Sequence, residues 1–173
     1  MSATPRIPVP QNLDSPLPMT LPRLAEKKRL GEPIVMVTAY DYPSAQVAQA
    51  AGVDVVLVGD SGAMTVLGYP STVPVSTDEM LMLAAAARRG LQTPLLVGDL
   101  PFGSYEGSDE LAIATAQRFI KEAGCDAVKL ERGVALRISR IRVEVAGVVE
   151  LGRVHEQGDH DDVAVLPRAT HQR

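Results

Sequence analysis

Residues 55–60 read Val-Val-Leu-Val-Gly-Asp, and residues 94–99 read Pro-Leu-Leu-Val-Gly-Asp. A third apolar run, Ala127-Val128-Lys129-Leu130, ends in Glu131. Continuous Val and Leu runs of this kind are typical of buried parallel strands, because helices cover both faces of such a sheet. Parallel α/β folds place their chemistry at the carboxyl ends of the strands, so we expect the three acids on one rim. Clustered carboxylates repel one another unless a cation lies between them, so the pattern predicts a divalent metal site.

Strands and helices alternate through the rest of this region. The expected strands are 34–38, 53–58, a run ending at 99, and 126–130; the expected helices are 21–30, 44–51, one capped by Thr77 and ending at 89, and one capped by Ser108 and ending at Gly124. This alternation is typical of βα units in an α/β fold with a parallel sheet or barrel. A (β/α)₈ barrel takes about 250 residues, so the chain supplies about half of one. The first strand lacks a following glycine fingerprint, which argues against a dinucleotide-binding fold.

Composition divides the chain into three parts. Residues 1–19 are rich in proline and are expected to form a flexible leader, residues 20–131 to form a partial barrel domain, and residues 132–173 to form a divergent tail of uncertain structure. The tail holds seven Arg, no Lys and all three His of the protein. This abrupt change suggests an altered reading frame or a truncated gene copy.

The bulk properties exclude some classes of partner. A net charge of -4 gives no indication of binding to nucleic acid or to an anionic membrane, and no apolar run is long enough to span a bilayer. Cys125 is the single cysteine, so no disulfide framework is possible within the chain. A single cysteine in the sequence fits a reducing cytoplasm, and we interpret Cys125 as a packing residue.

Asp60 and Asp99 are the leading candidates for metal ligands, because Mg²⁺ prefers carboxylate oxygens. The alternative is that each acid caps the helix that follows its strand. Lys129 lies two residues before Glu131, so both side chains point to the same side of the strand. A buried ammonium there could attract an anionic substrate, or it could form a structural ion pair with one of the acids.

Five ordered motifs carry a family resemblance. They are Met-Val-Thr-Ala-Tyr-Asp-Tyr-Pro-Ser-Ala at 36–45, Val-Gly-Asp-Ser at 58–61, Val-Leu-Gly-Tyr with Ser-Thr-Val-Pro-Val at 66–75, Gly-Asp-Leu-Pro-Phe at 98–102 and Ala-Val-Lys-Leu-Glu at 127–131. Together, over about residues 20–131, they resemble the ketopantoate hydroxymethyltransferase family (3-methyl-2-oxobutanoate hydroxymethyltransferase).

The resemblance implies a (β/α)₈ TIM barrel of the phosphoenolpyruvate/pyruvate superfamily, usually a cytoplasmic homodecamer. It implies transfer of a one-carbon unit from 5,10-methylenetetrahydrofolate to 3-methyl-2-oxobutanoate, giving 2-dehydropantoate for pantothenate synthesis. It also implies Mg²⁺ bound by Asp60, Asp99 and Glu131, and a substrate held by Asp60, Ser61, Asp99 and Lys129.

The chain departs from the family pattern in two places. Gly62-Ala63 stands where the family usually has a larger apolar residue followed by glycine. After Arg132 we find no counterpart of the family's catalytic glutamate or of its histidine-containing motif, so no catalytic residue is assigned and impaired activity is expected. Two alternatives remain: a non-catalytic half-barrel that associates with itself or with a full-length partner, and a related Mg²⁺-dependent carbon–carbon lyase.

Overall fold

Four parallel strands form one sheet in a computed structural model that describes residues 17–130. The strands, β1 to β4, are Met36–Thr38, Val55–Val58, Leu95–Asp99 and Ala127–Lys129. The helices, α1 to α5, are Leu21–Leu30, Tyr42–Ala51, Gly62–Thr65, Thr77–Gly90 and Asp109–Arg118, and a π-helical segment, Phe119–Ala123, extends α5. Each strand pairs in parallel with the next one along the chain. The expected α/β alternation is therefore confirmed.

Local side-chain chemistry explains where the helices begin. Helix α1 has the expected bounds, with Thr20 at its N-cap and Gly31 in the left-handed conformation after its last turn. Helix α4 is capped by Ser76 and not, as expected, by Thr77. The Ser76 hydroxyl accepts from the amide of Glu79, and the Glu79 carboxylate accepts from the amide of Ser76, which forms a capping box.

Two elements were not expected from the sequence. The short helix α3 interrupts the stretch from 61 to 76 that we expected to be a loop. The π-helical segment lies inside the helix expected to end at Gly124, and the carbonyl of Phe119 accepts from the amide of Cys125. Each strand also begins one or two residues later than the apolar run that predicted it, whereas β1, β2 and β3 end where expected, at Thr38, Val58 and Asp99.

The two faces of the sheet are buried against different elements. Val56, Leu96 and Val128 point to the face that packs in the large core with helices α2, α4 and α5. Alternate residues, among them Val55 and Val97, contact Leu24 of α1 on the other face. Helix α1 therefore covers the amino-terminal part of this second face, where the Met19 amide also donates to the carbonyl of Thr93 over 2.7 Å.

An aspartate precedes β2, and another precedes β4, in the same arrangement. Asp54 accepts from the amide of Val35 over 2.9 Å and from the Lys27 ammonium over 2.7 Å. Asp126 accepts from the amide of Leu96 over 3.0 Å and from the Arg88 guanidinium over 2.9 Å. Each acid therefore binds the amide of a residue in or beside the preceding strand together with one cation from a helix.

Strand β1 is the exposed edge of the sheet as far as residues 17–130 are concerned. Its three residues are all exposed, and Val35 just before it is 50% exposed. Uncovered apolar residues at a strand edge favour association with further chain. Within the same range of residues, no helix is long and apolar enough to cross a membrane.

Candidate metal and substrate site

Three of the predicted site residues lie together at the carboxyl-terminal rim of the sheet. Asp99 is the last residue of β3, and its register partner in β4 is Lys129. Asp60 lies two residues beyond β2, and its amide donates to Asp99 Oδ2 over 3.3 Å. Glu131, the third predicted acid, lies outside the described residues. The structure thus brings together Asp60, Asp99 and Lys129.

Asp99 and Lys129 form a buried ion pair. The distance from Lys129 Nζ to Asp99 Oδ1 is 3.2 Å, and the two side chains are 8% and 5% exposed, respectively. The ammonium is close enough for strong attraction, but Oδ1 accepts no well-aligned hydrogen bond from the residues described. Buried carboxylate oxygens are rarely left in that condition, so Oδ1 retains capacity for a further ligand.

Burial dominates the electrostatics of Asp99. It raises the pKa of this carboxyl to about 7, against a favourable contribution from the Lys129 ammonium and with a further unfavourable one from the charge of Asp60. A single ammonium therefore does not fully compensate the two neighbouring acids. An added divalent cation would supply the missing positive charge and would favour the ionised form of Asp99.

Neither acid is the N-cap of a helix, so the helix-capping alternative is not met for either. The N-cap of α3 is Ser61, and its side chain makes no capping hydrogen bond. The caps of α4 and α5 are Ser76 and Ser108. The other alternative, a structural ion pair for Lys129, is compatible with the observed contact to Asp99, and that contact also suits a substrate site.

Gly59 lies close to two of the predicted site residues. A Cβ added to it would lie 3.0 Å from Ser61 Oγ, which is tighter than an ordinary contact, and 3.9 Å from Asp99 Oδ2. Glycine at this position therefore lets the Ser61 hydroxyl and the Asp99 carboxylate approach the same part of the rim.

Tyr40 is a site residue to which the sequence reading gave no role. Its hydroxyl lies 2.9 Å from Ser61 Oγ, and either atom can donate the hydrogen bond. Tyr40 follows β1 by two residues, and the amide of Ala39 still donates to the carbonyl of Leu57. Its place just beyond a strand, on the same rim as the acids, is the signal that could have identified it.

The donors present fit a hard cation such as Mg²⁺. Mg²⁺ usually binds one or two protein carboxylates and completes its shell with water and substrate oxygens. Asp60 and Asp99 supply such carboxylates. No group of three His, Cys, Asp or Glu side chains gathers within the part of the chain that the structure describes, and the predicted third acid lies beyond it. The role of Glu131 as a ligand stays a prediction.

Sequence comparison identifies relatives along most of the chain. A family model described as ketopantoate hydroxymethyltransferase matches residues 18–153, which extends past Glu131 into the part expected to be a divergent tail. The "3-methyl-2-oxobutanoate hydroxymethyltransferase 1, mitochondrial" of Arabidopsis thaliana is 53% identical over 148 residues, which cover 85% of this chain and 42% of that protein. The 3-methyl-2-oxobutanoate hydroxymethyltransferase of Thermosynechococcus vestitus is 48% identical over 155 residues, covering 89% of this chain and 56% of the relative. The chain therefore spans about half the length of these relatives.

Structural comparison supports the barrel class. A crystal structure of 2,3-dimethylmalate lyase, a member of the PEP mutase/isocitrate lyase superfamily, matches with a TM-score of 0.53 at 20% identity. The match covers 74% of this chain and 46% of the lyase. At this identity the likeness concerns the fold alone: the four βα units are arranged as in the TIM barrels of that superfamily. The family model, which matches most of the chain, shows that the chain belongs to the ketopantoate hydroxymethyltransferase family.

Proposed function

We propose that residues 17–131 form the metal-binding and 2-oxo-acid-binding part of a hydroxymethyltransferase. The reaction would transfer a one-carbon unit from 5,10-methylenetetrahydrofolate to 3-methyl-2-oxobutanoate, giving 2-dehydropantoate for pantothenate synthesis. The observation that carries the proposal is the buried Asp99 carboxylate, whose Oδ1 lies 3.2 Å from the Lys129 ammonium and whose Oδ2 accepts from the amide of Asp60. Family membership supplies the substrate class.

Each residue of the rim has a distinct task in this proposal. Asp60 and Asp99, with Glu131, would hold Mg²⁺, which acts when bound as a Lewis acid toward the keto oxygen of the substrate. The Lys129 ammonium would attract the substrate carboxylate. The Ser61 hydroxyl, which lies beside Gly59 on the same rim, would donate a hydrogen bond to the substrate carboxylate. Burial strengthens these interactions, because the local dielectric is low.

Removal of the C3 proton of the substrate requires a base. We assign that role to no residue between 17 and 131, so the proposal for this part of the chain concerns binding of the 2-oxo acid. Ligand binding and proton removal are separate measurable properties.

Titration calorimetry with 3-methyl-2-oxobutanoate in excess Mg²⁺ tests binding. We expect heat of binding that is lost with a chelator and weakened at least tenfold in Asp99→Asn. Glu32→Gln is the matched control, since this exposed carboxylate near the end of α1 is remote in the fold from the rim. Equal affinity of wild type and Asp99→Asn would refute the proposed site.

Deuterium exchange at C3 of 3-methyl-2-oxobutanoate tests proton removal. We expect any Mg²⁺-dependent exchange to disappear in Asp60→Asn, because this variant loses a proposed metal ligand. Exchange that is the same in wild type and in Asp60→Asn would contradict the role of Asp60.

We also propose that the chain associates with itself or with a longer relative through β1, in the cytoplasm. The exposed Val35, Met36 and Val37 favour this state, because apolar edge strands attract further strands. Sedimentation velocity of wild type and Val35→Lys tests it, with Val47→Lys on the exposed face of α2 as the control. A monomeric wild type would contradict self-association, and failure to sediment with an added full-length relative would exclude the other mode.

A further inference from the structure

We infer that Tyr40 is a positioning residue for Ser61 and that Gly62 makes this position possible in this chain. The inference rests on the proposed function, since it concerns how Ser61 meets the carboxylate of the 2-oxo acid. Its evidence is one hydrogen bond, between Tyr40 and Ser61, and one close packing contact, between the Tyr40 ring and Gly62.

The hydrogen bond determines what Ser61 can offer a ligand. A serine hydroxyl carries a single proton, so it can donate to an anion only if its other hydrogen bonds are ones that it accepts. Tyr40 Oη lies 2.9 Å from Ser61 Oγ. A phenol is more acidic than an aliphatic alcohol, so with an anion present Tyr40 donates to Ser61 and Ser61 donates to the anion. Such a chain of donors strengthens each of its hydrogen bonds.

Ser61 Oγ lies on the same part of the rim as Asp99. A Cβ on Gly59 would be 3.0 Å from Ser61 Oγ and 3.9 Å from Asp99 Oδ2, so both side chains flank Gly59. Tyr40 therefore contacts a hydroxyl that lies near the proposed metal ligand Asp99, and the phenol does not need to touch the bound 2-oxo acid in order to act.

Gly62 allows the ring of Tyr40 to lie this close. A Cβ at Gly62 would be 2.9 Å from Tyr40 Cδ1 and 3.0 Å from Leu83 Cδ1, both shorter than normal carbon–carbon contacts. A larger residue here would force the ring or its neighbour to move. The close packing of Tyr40 against this part of the backbone therefore depends on glycine at position 62. Gly62 and Tyr40 act as one unit.

Binding of 3-methyl-2-oxobutanoate in excess Mg²⁺, measured by calorimetry on the full chain, tests the inference. Loss of one hydrogen bond predicts affinity that is about fivefold to tenfold weaker in Tyr40→Phe. Gly62→Ala should weaken binding in the same direction, because the added Cβ displaces the ring. Tyr42→Phe is the matched control with unchanged affinity, since its exposed hydroxyl contacts Gln46 on the surface of α2.

A double-mutant cycle separates positioning from a general effect on the fold. In a Ser61→Ala background, Tyr40→Phe should cause no further loss, because the phenol acts through the serine. Additive losses would overturn the inference, as would Tyr40→Phe with wild-type affinity. If wild type itself shows no Mg²⁺-dependent binding, the proposed function fails and this inference fails with it. If only the Tyr40 and Gly62 variants match wild type while Asp99→Asn does not, the inference alone fails.

Discussion

Raising the pH should destabilise this protein through Asp99. Burial raises the pKa of Asp99 in the folded chain to about 7, compared with an ordinary value of 3.8. Between these two values the folded chain holds a proton that the unfolded chain has lost. The contribution of Asp99 is therefore most favourable below the unfolded pKa, declines as the pH rises toward the folded pKa, and stays constant above it.

The size of the effect follows from the pH range. The interval from about pH 5.5 to the folded pKa spans roughly 1.5 pH units, and each unit corresponds to about 1.4 kcal/mol. Ionisation of Asp99 should therefore lower the unfolding free energy by about 2 kcal/mol over this range. The lower limit, about pH 5.5, was chosen so that carboxylates with ordinary or lowered pKa values are already ionised. Asp41 and Glu79 have lowered pKa values because they accept hydrogen bonds from Ser44 and from Tyr69, respectively, so both stay ionised throughout.

Urea unfolding at about pH 5.5 and about pH 8 measures this cost. The amide in Asp99→Asn cannot ionise, so the pH-dependent loss should be smaller in this variant by about 2 kcal/mol. The histidines at 155, 160 and 171 are common to both chains and cancel in the difference. Glu32→Gln should keep the wild-type slope.

Mg²⁺ supplies a second test of the same reasoning. A cation bound by ionised Asp99 should stabilise wild type at about pH 8 and should stabilise Asp99→Asn much less. Identical pH slopes for wild type and Asp99→Asn would refute the argument, because they would mean that Asp99 has the same pKa in both states.

Three further predictions concern the packing that positions the site. Gly98→Ala should lower the unfolding free energy by about 2 kcal/mol, because a Cβ there would overlap Phe119 and lie 3.0 Å from Cys125 Sγ. Urea denaturation measures this loss, and Phe119→Leu in the same chain should partly restore stability. An unchanged unfolding free energy in Gly98→Ala would contradict the packing. Asp126→Asn should lower the unfolding free energy by about 2 kcal/mol, since it weakens contacts to both Arg88 and the Leu96 amide. In urea denaturation, the double variant Asp126→Asn with Arg88→Met should lose less stability than the sum of the two single variants. Ser76→Ala should lower the unfolding free energy by about 1 kcal/mol through loss of the α4 cap, whereas Thr77→Ala should lower it much less. Equal shifts of the melting temperature in the two variants would show that the cap is misassigned.

Much of the fold could be predicted because its signals are local. Helix α1 ends at a glycine, and the strands coincide with apolar runs. Asp99 and Lys129 could be expected on one rim because parallel register brings the ends of neighbouring strands together. Helix α3 was missed because four residues that begin with glycine carry no helix-forming pattern. The π-helical segment has no sequence signal that we recognised.

Tyr40 was missed for a different reason. Its hydrogen bond joins residues 21 positions apart, and it depends on the space left by Gly62. Neither spacing nor composition reveals such a contact. The unusual Gly62 was visible in the sequence, but its effect on a distant ring needed coordinates.

The two aspartates that precede β2 and β4 have a consequence for modularity. Lys27, Val35 and Asp54 all lie within residues 27–54, while Arg88, Leu96 and Asp126 all lie within residues 88–126. These segments do not overlap, so the pair β1 and β2 and the pair β3 and β4 each have their own set of aspartate contacts. A backbone cut or an insertion between Gly68 and Val75 would leave both sets of contacts intact. This connection is therefore the natural place to divide the chain into two fragments for complementation.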